Sequence, residues 1–230
     1  MRTLRSTLAA LTALGLCAHA SLAWAEDAQD RAPKAGVTAC IQPLGKYSKK
    51  LLKASARGVT YLYGFEVRVL RARPMPKEVY YPKRKRWRAD RILDWLDAEI
   101  YPGSECTMVL AFTSHDISTT TDEKEDWGIL GLAQVGGRVG VVSTYRTRRG
   151  LKRPHTRLRR TVKVFNHEVG HILGIPHVPG DACLMSSAEG SVLTTDLQTG
   201  LLCAPTKTWM EENLSATLPD LAAFDWSRVE

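Results

Sequence analysis

The spacing of apolar residues changes along the chain, and each change marks an element. Val37 to Leu44 is a short, nearly continuous apolar run and reads as a buried strand. A helix is expected from about Lys46 to Gly58, followed by a strand over Val59 to Arg71, which is rich in Tyr, Phe and Val. Pro74 and Pro76 interrupt the chain. From Arg86 to Ile100, Trp87, Arg91, Trp95 and Ala98 recur at intervals of three and four, as do Ile92, Leu96 and Ile100, so a helix is expected there. Thr107 to Thr113 is apolar throughout, as in a central strand covered on both faces. Ile129 to Val135 and Arg138 to Thr144 flank Gly136-Gly137, a hairpin signal. A helix is expected from about Arg157 to Leu173, and one or two short helices around Trp209 and Leu221. Strands alternating with helices predict an α/β fold with one antiparallel hairpin strand.

The N-terminus departs from this pattern. Arg2 and Arg5 precede a charge-free apolar stretch, Leu8 to Leu22, and Ala23-Trp24-Ala25 supplies a small-x-small cleavage pattern before Glu26. Residues 1–25 therefore read as an export signal, and 26–36 as a disordered lead-in. Leu16 before Cys17 speaks against a lipoprotein, and the apolar run is short for a membrane span. Export would be to the periplasm or the medium.

Composition narrows the classes. The chain has 230 residues, 44% hydrophobic and 24% charged, which excludes wholesale disorder, a fibre and a multi-span membrane protein. Its net charge of +8 falls to +6 after cleavage at Ala25, and its five cysteines fall to four. Four cysteines in an exported chain suggest two disulfides. Positive charge concentrates in Arg146 to Arg160 and Lys83 to Arg88. Only Trp87 lies within these runs, so the stacking aromatics of a nucleic-acid surface are missing. The runs read as a solvated loop and helix face, or as weak affinity for anionic envelope surfaces or acidic substrates.

The chemistry lies in His167-Glu168-Val169-Gly170-His171-Ile172-Leu173-Gly174-Ile175-Pro176-His177. His167 and His171, four apart on a helix, leave the same face one turn apart. Gly174 can end the helix in a left-handed conformation, Pro176 prevents its continuation, and His177 can return as a third ligand. Three histidines leave the fourth position of a zinc ion for water, as a catalytic site requires. Glu168 can reach that water as general base, then return the proton to the leaving nitrogen.

This eleven-residue motif resembles that of the metzincin clan of zinc peptidases, and Cys183-Leu184-Met185 resembles its methionine turn. Further matches resemble the archaemetzincins: Ile41-Gln42-Pro43-Leu44-Gly45, Tyr81-Pro82-Lys83-Arg84, Gly131-Leu132-Ala133, Gly137-Arg138 with Val141-Val142-Ser143, and the spacing of Cys183, Met185 and Cys203. The resemblance, over about residues 40–206, implies a twisted mixed sheet of four or five strands with one antiparallel edge strand, an active-site helix and a small C-terminal subdomain. It implies one catalytic domain over 37–230, with an upper part at 37–177 and a lower part at 178–230. Leu132 and Ala133 would line the substrate groove on the edge strand. Val178 and Thr206 stand at two of the four family cysteine positions that hold a structural zinc, so no second zinc is expected. A Cys183–Cys203 disulfide would replace it, leaving Cys40 to pair with Cys106. Cys40 as a latency ligand on the zinc is disfavoured, since no long propeptide accompanies it.

The chain has no tyrosine after Tyr145, where some metzincins place one to stabilise the oxyanion. The expected activity is peptide-bond hydrolysis by an exported monomer with one catalytic zinc, a peptide or protein substrate and no nucleic-acid partner. Two alternatives are a zinc-bearing envelope protein that binds without turnover, and a hydrolase of peptidoglycan cross-links.

Overall fold

A computed structural model describes residues 36–151, 153, 155–180, 182–188, 190–214, 221 and 223–230. The export signal at 1–25 and nearly all of the lead-in lie outside the described residues. The principal sheet has five strands in the order β2-β1-β5-β9-β8. They are β1 (Thr38–Pro43), β2 (Glu66–Val69), β5 (Met108–Thr113), β8 (Gly131–Ala133) and β9 (Val139–Ser143). The β1–β2, β1–β5 and β5–β9 pairs are parallel, and β8 runs antiparallel to β9 at the edge. This is the expected mixed α/β sheet with its antiparallel edge strand.

The central strand β5 is buried at every position, which explains its unbroken apolar run. Its side chains divide by the period of two. Met108, Leu110 and Phe112 join one core with helices α1 (Lys49–Tyr63) and α3 (Thr156–Ile172). Val109 and Ala111 face the other core, with Ile92 and Leu96 of helix α2 (Ala89–Glu99). The Cys40–Cys106 disulfide, with its Cα atoms 6.0 Å apart, links β1 to the residues leading into β5.

Three expectations need correction. Val59 to Tyr63 does not begin a strand. It completes α1, because Leu51, Leu52, Ser55, Val59 and Leu62 form one buried stripe at helical spacing. Packing of that stripe overrides the strand preference of Val59 and the tyrosines. The helix ends where Gly64 takes a left-handed conformation, φ 72°, and donates its N–H to Thr60 O.

Arg86 to Arg88 is not the first turn of α2 but a strand, β4. It belongs to a second sheet that the apolar pattern does not announce, with β3 (Tyr80–Tyr81), β6 (Ile117–Thr119) and β7 (Trp127–Ile129) in the order β3-β4-β6-β7. Ile129 therefore pairs with Ile117 in this sheet, and the edge strand of the main sheet starts only at Gly131.

The basic runs are also not simply solvated. Arg88, Arg146 and Arg160 are buried. Arg146 meets Asp116, as does Arg86, which also reaches Asp126 at 2.5 Å. Arg88 donates to Glu125 O and Thr120 Oγ1, both at 2.6 Å. A planar guanidinium can be buried because its several donors find carbonyls and carboxylates in fixed directions.

After α3 come α4 (Val192–Leu197) and α5 (Ala204–Leu214). The first was not anticipated, while the second matches the helix expected around Trp209. The helix expected around Leu221 falls largely outside the described residues. Leu202, Met210, Phe224 and Val229 pack into the same core as α1 and α3. Among the described residues, no helix is long and apolar enough to cross a membrane.

Candidate active site

Helix α3 carries His167, Glu168 and His171 on a nearly fully buried stretch. It ends at Leu173. Gly174 (φ 96°) then reverses the chain, donating to His171 O, while Ile175 N–H donates to Gly170 O. Pro176 follows, and His177 returns to the other two histidines. His177 Nε2 lies 3.1 Å from His167 Nε2 and 3.2 Å from His171 Nε2.

Each buried ring is aimed from behind. His167 Nδ1 is 2.7 Å from Leu184 O, and His171 Nδ1 is 2.8 Å from Ile175 O. A carbonyl only accepts, so the proton sits on Nδ1 in both rings and each Nε2 presents a lone pair. Burial lowers the pKa of His167 to about 3, helped by neighbouring His171, and that of His171 to about 4. Burial also lowers that of His177. At neutral pH all three are neutral imidazoles, the form that binds metals.

This donor set fits zinc. One proton on His177 Nε2 could bridge to one neighbour, whereas a single cation would satisfy all three nitrogens. Among the described residues these histidines form the group able to hold a metal, with ligand atoms within 4.8 Å of one another. His167 and His171 are buried while His177 is exposed, so the cluster opens on one side.

Glu168 lies in the same cleft, 5% exposed, and burial pushes its carboxyl up to about 8. A cation on the adjacent imidazoles would favour the carboxylate and oppose that shift. The space for Glu168 comes from the edge strand. A Cβ at Gly131 would collide with Glu168 Oε1. Gly170 makes room on the opposite side of the helix, where a Cβ would strike Met185 Sδ. Met185 is thus packed directly beneath the turn that carries His167 and His171 and is fully buried.

The loop after His177 is held from both ends. Val178 N–H donates to Met185 O, and Leu184 N–H to Leu201 O. The structure joins Cys183 to Cys203, with Cα atoms 5.2 Å apart. That disulfide flanks Leu184, the residue whose carbonyl orients His167. The Thr206 hydroxyl lies 3.6 Å from Cys203 Sγ.

A cleft of about 510 Å³ surrounds the three histidines and Glu168. Leu132 and Ala133 line it, and both are half-buried on the edge strand β8. Sequence reasoning missed several other contributors. Trp127 and Thr119 enter from the second sheet, and Thr195 and Gln198 from α4 and its end. Gln198 donates to Ser186 O at 2.9 Å. Gly136 N–H donates to His171 O, tying the hairpin to the second histidine. Two glycines here leave a trace in the sequence: Gly136 in the Gly136-Gly137 hairpin signal, and Gly170, since a glycine inside a helical pattern costs about 1 kcal/mol and asks for a packing reason.

Residues 106–212 match Peptidase family M54. The archaemetzincin of Haloarcula marismortui is 26% identical over 170 residues, covering 71% of this chain and 93% of that protein. The archaemetzincin of Methanopyrus kandleri is 30% identical over 154 residues, covering 67% of this chain and 82% of the relative. The crystal structure of archaemetzincin from Methanopyrus kandleri matches with a TM-score of 0.67 at 27% identity, over 80% of this chain and 98% of the other. Matched along most of the length of these relatives in sequence and in fold, the chain belongs to the archaemetzincin family of zinc metallopeptidases.

Proposed function

We propose that the protein is an exported peptidase in which His167, His171 and His177 hold one zinc ion and Glu168 is the general base and acid. The convergence of three Nε2 atoms beside a carboxylate, in an open cleft bordered by a sheet edge, carries this reading. Zinc held there would supply Lewis acidity, polarising a scissile carbonyl and acidifying a water.

The chain's own residues do the rest. The β8 edge offers main-chain groups to an extended peptide, which can add to the sheet as a further strand. Leu132 and Ala133 on that strand contact the peptide's side chains. Glu168 takes a proton from the attacking water and delivers it to the amide nitrogen as the peptide bond breaks. With no tyrosine after Tyr145, backbone N–H groups are left to stabilise developing negative charge on the carbonyl oxygen, which a zinc held by the three histidines would help to offset.

The cysteines support one zinc per chain. Cys183 and Cys203 are joined to each other, so neither sulfur is a thiolate ligand for a second ion. Two disulfides among four cysteines also support passage through an oxidising compartment, as does the signal pattern over residues 1–25. Glu168→Ala tests the mechanism, since it should retain zinc and abolish hydrolysis. Hydrolysis that survives the change would remove Glu168 from its role.

A further inference from the structure

A second cavity, of about 450 Å³, lies beside the catalytic cleft, and the two share Gln198. Arg153, Arg159, Arg160, Lys163, Asp196 and Trp226 are among the residues lining it, four cations against one carboxylate. Arg160 is committed to structure. It grips Asp196 through two bonds of 2.6 Å and donates to the carbonyls of Thr147 and Arg149. Lys163 is buried, and its Nζ donates to Thr195 O at 3.0 Å and meets Asp196 O at 3.5 Å, which leaves a third N–H. Arg159 lies over the Trp226 ring and shares Glu230 with His155. Arg153 is exposed and has no ion pair among the described residues.

Between the two cavities stands α4. Thr195 faces the catalytic cleft, whereas Leu193 and Asp196 face the basic cavity. Leu193 and Leu197 are 68% and 63% exposed, so the ridge between the cavities is apolar. A helix is ~10 Å across, which an extended chain crosses in about three or four residues at ~3.3 Å each.

We propose that this cavity is an exosite for an acidic stretch of the peptide substrate, reached by a chain that leaves the catalytic cleft across α4. The inference rests on the peptidase reading for its choice of ligand. Carboxylates would meet Arg153, Arg159 and the remaining N–H of Lys163, whose Nζ lies 5.8 Å from the centre of the Trp226 ring. Asp196 is already paired with Arg160 through both carboxylate oxygens, so it repels an incoming acid less than an unpaired carboxylate would. Aliphatic side chains of the same segment would cover Leu193 and Leu197.

The test uses the mature, zinc-loaded protein and labelled peptides carrying Glu or Gln at positions three to six residues from the central bond, on either side. Fluorescence anisotropy on the Glu168→Ala protein reads binding without turnover. The Glu peptides of one register are expected to bind about fivefold more tightly than their Gln counterparts at low salt, and Arg153→Glu should erase the difference. In the active protein, Arg153→Glu should lower the ratio of kcat/KM for Glu over Gln peptides by a similar factor, through KM. Equal binding of both series, or a preference that Arg153→Glu does not move, would overturn the exosite. Arg153-dependent binding to phosphatidylglycerol vesicles without a preference for Glu peptides would also overturn it, in favour of surface attachment. If Glu168-dependent cleavage proceeds with no acidic preference, the exosite fails and the peptidase reading stands. If acidic peptides bind through Arg153 but no peptide is cleaved, the peptidase reading fails instead.

Discussion

Two glycines set the geometry of the Glu168 carboxylate and of Met185 beneath the helix. Gly131 lies against Glu168, so Gly131→Ala should displace the carboxylate while leaving the three imidazoles in place. The expected result is retained zinc with kcat lowered at least about tenfold, a small displacement of a proton-transfer group being enough for that. Metal content and steady-state kinetics on one preparation check it. Gly170→Ala acts differently. The new methyl would strike Met185 Sδ, and overpacking of this kind costs about 1–3 kcal/mol, offset in part by about 1 kcal/mol of helix propensity. A net loss of stability is expected in thermal unfolding, and Gly170→Ala combined with Met185→Ala should recover part of it. Both roles depend on what stands opposite each glycine in space, which spacing along the chain does not encode. The clustering of the three histidines is legible because a helix fixes the direction of residues four apart and Gly174 with Pro176 fixes the turn that follows.

Among the elements, the legible ones bury one continuous face. β5 and α3 stand where their apolar pattern puts them, since burial dictates both sequence and structure there. The second sheet was not legible, because Arg86, Arg88 and Arg146 hold it through carboxylates and carbonyls, and no apolar period marks it. The loop carrying Met185 depends on its disulfide. Cys183→Ser with Cys203→Ser opens a loop with a sequence separation of 20 and should cost roughly 3 kcal/mol in the chain-entropy model. It should also weaken zinc binding, since Leu184 O would no longer hold His167; competition with a chromophoric chelator measures this. Helix α3 supplies a pH signature. In the metal-free protein His167 and His171 titrate near 3 and 4, against 6.5 for an unperturbed histidine. Between pH 6.5 and about 4 the unfolded chain protonates both imidazoles and the folded chain neither, which outweighs the one proton that Glu168, raised to about 8, holds only when folded, so stability falls as the pH falls through that window. Unfolding temperatures of chelator-treated protein should trace this decline, and a His167→Gln, His171→Gln variant should show a shallower one.

For the whole molecule, the excess of positive charge divides by environment. Arg88, Arg146 and Arg160 are buried and hold elements together, while Arg153 and Arg159 face a cavity beside the cleft. The charge is thus part scaffold and part the proposed exosite. The export proposal predicts that protein recovered from its native compartment begins at Glu26 and has no free thiol; N-terminal sequencing and non-reducing peptide mapping decide both. On the proposed function, three histidines and Glu168 make this fold a working zinc peptidase. Metal analysis of the mature protein, paired with a peptide-library digest by wild type and Glu168→Ala, tests it most directly. One zinc per chain in both proteins, with cleavage by the wild type alone, is the predicted result. A wild type without zinc, or one that holds zinc and cleaves nothing, or cleavage that persists in Glu168→Ala, would contradict it.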